Sequence, residues 1–173
     1  LNIVKVFEID DHGGEAFLVL EYLPGGSLAD LLARGPLAPA AAADLVEALA
    51  RGLHHAHERG VLHRDLKPGN ILLGEEAAPA AGAGNRSAFP RIAKIADFGL
   101  AKHLDASGGA TASRLVGTPA YGAPERIDGK HDSPAGDVYS LGVVLYECLT
   151  GRPPFLADAP LATLMQVRER DAV

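Results

Sequence analysis

The chain has 173 residues, with 16 Lys and Arg against 22 Asp and Glu, so its net charge is −6. This length fits one domain, and 47% hydrophobic with 22% charged residues indicates a globular protein rather than a disordered one. The acidic balance argues against a non-specific nucleic-acid-binding surface. The single cysteine, Cys148, excludes an intramolecular disulfide and favours a reducing, cytoplasmic location.

The first residues predict a β-hairpin. Residues 2–9 alternate apolar and polar side chains, residues 10–14 have turn composition, and residues 16–20 form a second apolar run. The Pro-Gly-Gly sequence at residues 24–26 then ends the strand. Ser27 is a plausible N-cap for a short helix over residues 28–34.

Two longer helices are predicted next. Leu45, Leu49, Leu53 and Ala56 recur at helical spacing within residues 39–59, which indicates an amphipathic helix. Residues 137–150 are apolar on nearly all sides, as in a helix central to a core. A last helix is expected to begin near Asp158 or Pro160.

Residues 71–73 are a short apolar run, and residues 91–96 are predicted to resume a strand. Between them, residues 74–91 are of low complexity and are expected to form a mobile surface insertion. Residues 99–134 are rich in Gly, Ser, Thr and Pro. A loop of this length inside a compact domain is usually functional or disordered.

Three motifs occur in a fixed order. They are His63-Arg64-Asp65-Leu66-Lys67-Pro68-Gly69-Asn70, Asp97-Phe98-Gly99 and Ala123-Pro124-Glu125. In this order they resemble the eukaryotic-type (Hanks-type) Ser/Thr protein kinases, in a bacterial-like form. The resemblance implies an α+β protein-kinase-like fold. Residues 1–23 would be the end of the N-lobe and the hinge, residues 24–173 the mostly helical C-lobe, and residues 97–125 the activation segment.

The resemblance assigns chemistry to the motif residues. Phosphoryl transfer from ATP depends on positioning and charge neutralisation, and Asp65 would accept the proton of the substrate hydroxyl. Lys67 would neutralise charge on the transferred phosphate, while Asn70 and Asp97 would hold Mg²⁺ through oxygen ligands. In isolation, Asp65 would be interpreted as a surface aspartate in a turn.

Substrate class is indicated by Lys67 and by residues 117–121, which resemble the Ser/Thr form of the substrate-binding loop. Thr118 would then hydrogen-bond Asp65 and Lys67. The alternative for Thr118 is an ordinary turn threonine before a proline. Gly122 departs from the family, which more often has a larger residue at that position.

Regulation is expected at Arg64, which in the family contacts a phosphorylated residue of the activation segment. Thr111 and Ser113 are the main acceptors, and the choice between them stays open. Lys94 and Lys102 could complete the basic cluster. The alternative is that these hydroxyls are solvated and have no role.

The family also places the nucleotide. Leu20 would be the gatekeeper, and the backbone of Glu21 and Leu23 would meet adenine. Ser27 would lie near the ribose and Leu72 below the adenine. For Leu20 and Leu72, simple core packing is an alternative that is compatible with this role.

Other family positions are structural. His63 and Phe98 would belong to a hydrophobic stack with Val6, Asp137 would hold the catalytic-loop backbone, and Glu125 would pair with a later arginine. His54 and His57 have a spacing that could suit a metal. Histidines at a helix end that face solvent or the helix dipole are the favoured alternative.

A Gly-rich phosphate loop and a V-A-I-K-type lysine are absent from residues 1–173. Two hypotheses follow. In the first, residues 1–173 are part of an active Ser/Thr protein kinase that acts on protein substrates. Phosphoryl transfer by these residues alone is then expected to be poor. The other is a non-catalytic kinase-like module that binds partners. By resemblance, any membrane anchor would lie outside these residues.

Overall fold

The N-terminal part of the chain forms the predicted hairpin, with shifted boundaries. The computed structural model describes residues 2–76, 89, 91–98, 119–127 and 132–170. Strand β1 (Val6–His12) pairs antiparallel with β2 (Glu15–Leu20). Gly13 and Gly14 connect them at φ 66° and 88°, a conformation that glycine adopts without a steric penalty. The turn is therefore shorter than residues 10–14, and the strand begins later than residue 2.

The hairpin buries little of its apolar surface. Every residue of β1 is exposed, and Ile9 is 73% exposed. Residues 2–5 instead run beside a later strand, where Ile3 bridges Ile95 in parallel. The alternating pattern therefore predicted the strand but not a buried face, because no layer of the described residues covers it.

Helix α1 (Leu28–Leu32) begins at the predicted cap and is shorter than expected. The Ser27 side chain accepts the Asp30 N–H, and the Asp30 carboxylate accepts the Ser27 N–H, which is a capping box. Before it, Gly25 lies so close to the next strand pair that a Cβ would be 2.5 Å from the Gly74 carbonyl oxygen. Only glycine permits this approach.

Helices α2 (Pro39–His57) and α4 (Pro134–Thr150) pack against each other and form the centre of the core. The predicted stripe of α2 is buried as expected. From α4, Leu141, Val144 and Cys148 join the same cluster. The predicted central place of α4 in the core is confirmed, although Val138 and Leu149 on its outer side are 61% and 42% exposed.

A second antiparallel pair is formed by β3 (Ile71–Glu76) and β4 (Arg91–Ile95). Ile71, Leu73 and Ile95 are fully buried. The strands include Gly74 to Glu76 and Arg91, so the predicted insertion is wrong at both edges. Its residues 77–88 and 90 lie outside the described residues.

Two helices complete the described chain, α3 (Pro124–Ile127) and α5 (Pro160–Glu169). The start of α5 matches the prediction at Pro160. Helices with two small antiparallel sheets confirm the α+β class. Over the described ranges, no helix has both the length and the apolar character needed to cross a bilayer.

Candidate functional site

The catalytic loop (residues 63–70) lies between α2 and β3 and brings three predicted residues together. The Lys67 ammonium donates to Asp65 Oδ2 at 2.6 Å. The Asn70 amide nitrogen donates to the Asp65 carbonyl at 2.8 Å and lies 3.4 Å from Asp65 Oδ2. A cation and an amide thus fix the orientation of one half-buried carboxylate.

Asp137, in the first turn of α4, fixes the catalytic loop through the loop's backbone. Its Oδ2 accepts the His63 N–H at 2.9 Å, and its Oδ1 accepts the Arg64 N–H at 2.8 Å. Asp137 is only 3% exposed, so these hydrogen bonds to a charged acceptor are made with little competition from water. The carboxylate therefore holds the loop backbone against the core.

His57 is a third partner of Asp137, and sequence reasoning missed it. Its Nε2 lies 2.8 Å from Asp137 Oδ2, and its side chain is 13% exposed. His57 therefore faces Asp137 and not solvent, which was one of the two surroundings expected for a helix-end histidine. The exposed side chain of His54 instead lies 3.7 Å from Glu58. The sequence held one signal for this burial. His57 lies one helical turn after Leu53, and therefore on the same buried face of α2.

Backbone strain is concentrated at the site. Among the described residues, Arg64 and Asp97 are the non-glycine residues with positive φ, at 73° and 60°. Such conformations are unfavourable for L-residues and persist where surrounding contacts enforce them. Both residues belong to the motifs that the sequence singled out.

His63 joins the loop to the strand end that carries Asp97. Its ring meets Phe98 edge-on with centroids 4.8 Å apart. Its Nε2 lies 2.8 Å from the Ala96 carbonyl, and its Nδ1 accepts the Asp65 N–H at 3.3 Å. Burial lowers the pKa of this imidazole below its usual value. The neutral ring with hydrogen on Nε2 satisfies both contacts.

Val6, the predicted third member of this stack, is 52% exposed. It lines an apolar cavity of about 340 Å³ together with Phe98 and Leu20.

Asn70 and Asp97 are neighbours through the backbone. The Ala96 N–H donates to the Asn70 carbonyl at 2.8 Å, which ties the residue before Asp97 to the end of the loop. The Asn70 amide nitrogen makes the contacts to Asp65, so its amide oxygen is the atom suited to a cation. One amide oxygen and one carboxylate fit Mg²⁺, which keeps waters and binds substrate phosphates. No group of three His, Cys, Asp or Glu side chains suited to a metal occurs among the described residues.

The predicted hinge is joined to β4 by an ion pair that the sequence analysis did not foresee. The Lys94 ammonium lies 2.7 Å from both Glu21 carboxylate oxygens, and the Lys5 N–H donates to Glu21 Oε1 at 2.7 Å. The Lys94 hydrogen bond is the main cause of the lowered Glu21 pKa. Lys94 therefore meets the hinge, not the Arg64 cluster proposed for it.

The other predicted nucleotide residues lie beside this hinge. Leu20, Leu23 and Leu72 are half-buried, and Ser27 and Leu72 form an antiparallel bridge. The Ser27 hydroxyl donates to Asp30 Oδ2 at 2.7 Å, so it already acts in the helix cap. The structure thus places these residues on adjoining backbone segments.

Arg64 meets an acidic partner in the segment before α4. Its Nε lies 3.2 Å from Asp132 Oδ2, and the Arg126 Nε lies 3.2 Å from Asp132 Oδ1. Glu125 lies near the start of α4, where its Oε1 is 3.9 Å from the position of a Cβ on Gly136. The predicted Thr111, Ser113 and Thr118 lie outside the described residues, as do Gly99 and Lys102.

A cleft of about 360 Å³ opens beside Lys67 and is lined in part by Tyr121 and Glu147. The Tyr121 hydroxyl donates to Glu147 Oε2 at 2.5 Å. Burial raises the pKa of both groups. The Ser140 hydroxyl donates to the Tyr121 carbonyl at 2.7 Å, so α4 also positions this wall of the cleft.

The sequence pattern of the protein kinase domain matches residues 1–171. The chain belongs to the protein kinase domain family. The resemblance seen in the three motifs is confirmed, and the fold described above is a protein-kinase fold.

Known kinases from bacteria align with nearly the whole chain. It is 36% identical over 170 residues to serine/threonine-protein kinase PknL of Mycobacterium tuberculosis, covering 98% of this chain and 39% of PknL. It is 34% identical to PknB of Mycolicibacterium smegmatis, covering 99% of this chain and 26% of PknB. It is 40% identical to PkaA of Streptomyces coelicolor, covering 95% of this chain and 28% of PkaA. This chain therefore spans less than half of the length of these relatives.

Proposed function

We propose that the protein transfers the γ-phosphoryl group of ATP to serine and threonine hydroxyls of protein substrates. The observation that carries the proposal is the Asp65 carboxylate, held between Lys67 and Asn70 on a loop fixed by Asp137. The relatives named serine/threonine-protein kinases support the same reaction. Residues 1–23 would act as the N-lobe end and hinge, and residues 24–173 as the C-lobe.

The chain's own residues have separate tasks in this reaction. Asp65 orients the substrate hydroxyl and accepts its proton as the oxygen attacks the γ-phosphorus and ADP leaves. Lys67 neutralises charge on the transferred group. Asn70 and Asp97 would hold Mg²⁺, which supplies positive charge to the phosphates when bound.

The proposal also includes nucleotide and substrate binding, with the roles that the resemblance to the family implies. The hinge backbone at Glu21 and Leu23 would meet the adenine, with Leu20 and Leu72 on its faces. Thr118 would contact Asp65 and Lys67, and Arg64 would receive a phosphorylated Thr111 or Ser113. A cytoplasmic site of action, favoured by the single buried Cys148, completes the proposal.

The test is phosphoryl transfer by the protein expressed from its full coding sequence. With labelled ATP, Mg²⁺ and a generic Ser/Thr peptide, we expect incorporation that Asp65→Asn lowers by about 10²- to 10⁴-fold. The matched control is Asp44→Asn, because Asp44 is an exposed aspartate on α2. Equal incorporation by wild type and Asp65→Asn would contradict the assigned base. Nucleotide binding without transfer by wild type would favour the non-catalytic module.

A further inference from the structure

Each carboxylate oxygen of Asp132 lies near a different arginine. Its Oδ2 lies 3.2 Å from Arg64 Nε and its Oδ1 lies 3.2 Å from Arg126 Nε. Arg126 also donates through Nη1 to the Arg64 carbonyl oxygen. Arg64, Asp132 and Arg126 therefore form one cluster, and Arg64 is the residue immediately before Asp65.

The cluster is partly shielded from water and carries excess positive charge. The side chains of Arg64, Asp132 and Arg126 are 30, 23 and 35% exposed. Two guanidinium groups face one carboxylate, which leaves one unit of positive charge among these three groups. Within the described residues, the buried Arg64 Nε makes no aligned hydrogen bond. The two arginines can therefore accept a more highly charged anion than a carboxylate.

We infer that Asp132 is a positioning residue for phosphoryl transfer, which supplies Arg64 with an anionic partner when no phosphoryl group is present. Arg126 is the second cation of the same anion site. The inference rests on the proposed function and deepens it. It assigns to Asp132 and Arg126 the task of holding the catalytic loop in the unphosphorylated protein.

The contacts of Arg64 explain how Asp132 would act on Asp65. Arg64 has a strained φ of 73°, which needs external restraint. Asp137 holds its N–H, Arg126 holds its carbonyl, and Asp132 holds its side chain. Relaxation of this φ would rotate the following peptide and displace the Asp65 carboxylate from Lys67. Asp132 thus restrains the backbone conformation of Arg64 through the Arg64 side chain.

The ligand class of the site is a phosphomonoester dianion, because a phosphoryl group carries about −1.5 to −2 charges and pairs well with guanidinium groups. Such a group would replace Asp132 as the partner of Arg64 and Arg126. Loss of the Asp132 charge should therefore make the conformation of the catalytic loop depend on phosphorylation.

The experiment compares Asp132→Asn with wild type in the full-coding-sequence protein, after phosphatase treatment and after incubation with ATP. In the phosphatase-treated state we expect kcat for the Ser/Thr peptide to fall about fivefold, with an unchanged KM for ATP. Asp132→Glu should restore kcat. In the ATP-incubated state the difference should shrink. Unchanged or increased kcat in the phosphatase-treated variant would overturn the inference.

A second readout does not require activity. Hydrogen exchange of the backbone amides at residues 63–67 should be faster in Asp132→Asn, and added inorganic phosphate should slow it again more than chloride at equal ionic strength. Phosphate rescue identifies the anion site itself, whereas rescue only by ATP incubation identifies the protein's own phosphoryl group. Equal exchange in wild type and variant would overturn the inference.

The controls separate the two proposals. Glu47→Gln removes the exposed Glu47–Arg51 ion pair on α2 and should leave kcat and exchange unchanged. If wild type shows no transfer that Asp65→Asn removes, the proposed function fails. The exchange experiment still decides whether Asp132 holds the loop.

Discussion

The catalytic loop and the N-terminal hairpin are both short segments, yet they are held in different ways. The loop's backbone donors meet Asp137, a carboxylate that is 3% exposed on the core helix α4. The hairpin is held by its own β1–β2 hydrogen bonds, and every residue of β1 is exposed. Polar contacts on a buried anchor are therefore expected to cost more to break than exposed apolar contacts.

The largest expected effect comes from removing the anchor. Asp137→Ala should lower the free energy of unfolding by about 3 to 5 kcal/mol, because it removes a buried charged acceptor and leaves buried donors unpaired. Urea unfolding of the full-coding-sequence protein measures this. Asp44→Ala, at an exposed aspartate of α2, should change it by less than about 0.5 kcal/mol. Similar losses in both variants would contradict the anchoring role.

The next effect is pH-dependent and involves His63. Its pKa is lowered by burial from 6.5, so the unfolded chain binds more protons than the folded chain below about pH 6.5. The stability contributed by the neutral ring is therefore present above that pH and is lost as pH falls towards the folded-state pKa. In a plot of the free energy of unfolding against pH, His63→Phe should make the slope below about pH 6.5 shallower by up to about 1.4 kcal/mol per pH unit.

Urea unfolding between pH 5 and pH 8 checks this slope. Leu53→Ala is the control, because it removes a side chain that is 2% exposed and leaves the imidazole in place. It should lower stability at every pH without changing the slope. An unchanged slope in His63→Phe would show that another group titrates.

The smallest effect is expected on the hairpin. Ile9 is 73% exposed, so Ile9→Thr keeps a β-branched residue and should change the free energy of unfolding by less than about 0.5 kcal/mol. Leu49→Ala, at a fully buried position, should lower it by about 2 to 5 kcal/mol in the same urea titration. A comparable loss in Ile9→Thr would mean that the hairpin is covered in the whole protein.

Much of the fold was predictable because its signals are local. Ser27 predicted a helix cap, the stripe from Leu45 to Ala56 predicted a buried helix face, and residues 10–14 predicted a turn that the structure narrows to Gly13 and Gly14. Exposure was less predictable. Ile9 lies in an alternating strand pattern and Val138 in an apolar helix, yet both remain exposed, because burial depends on which element lies opposite.

The site was predictable where a motif names the residues together. Asp65, Lys67 and Asn70 are within one octapeptide, so the loop that unites them was expected. His57, Lys94 and Asp132 were missed as contacts, or assigned to other surroundings. Their partners Asp137, Glu21 and Arg64 are distant in the chain, and spacing gives no measure of such distances.

The sequence alone determined the family, the order of its motifs and the local starts and turns of its elements. These depend on neighbouring residues through caps, periodicity and backbone preferences. Tertiary structure decided that Asp137 meets residues 63 and 64, and that Asp132 bridges Arg64 and Arg126. These contacts exist because folding brings α4 and the segment before it against the catalytic loop, where Asp137 binds the Arg64 N–H and Asp132 binds the Arg64 side chain.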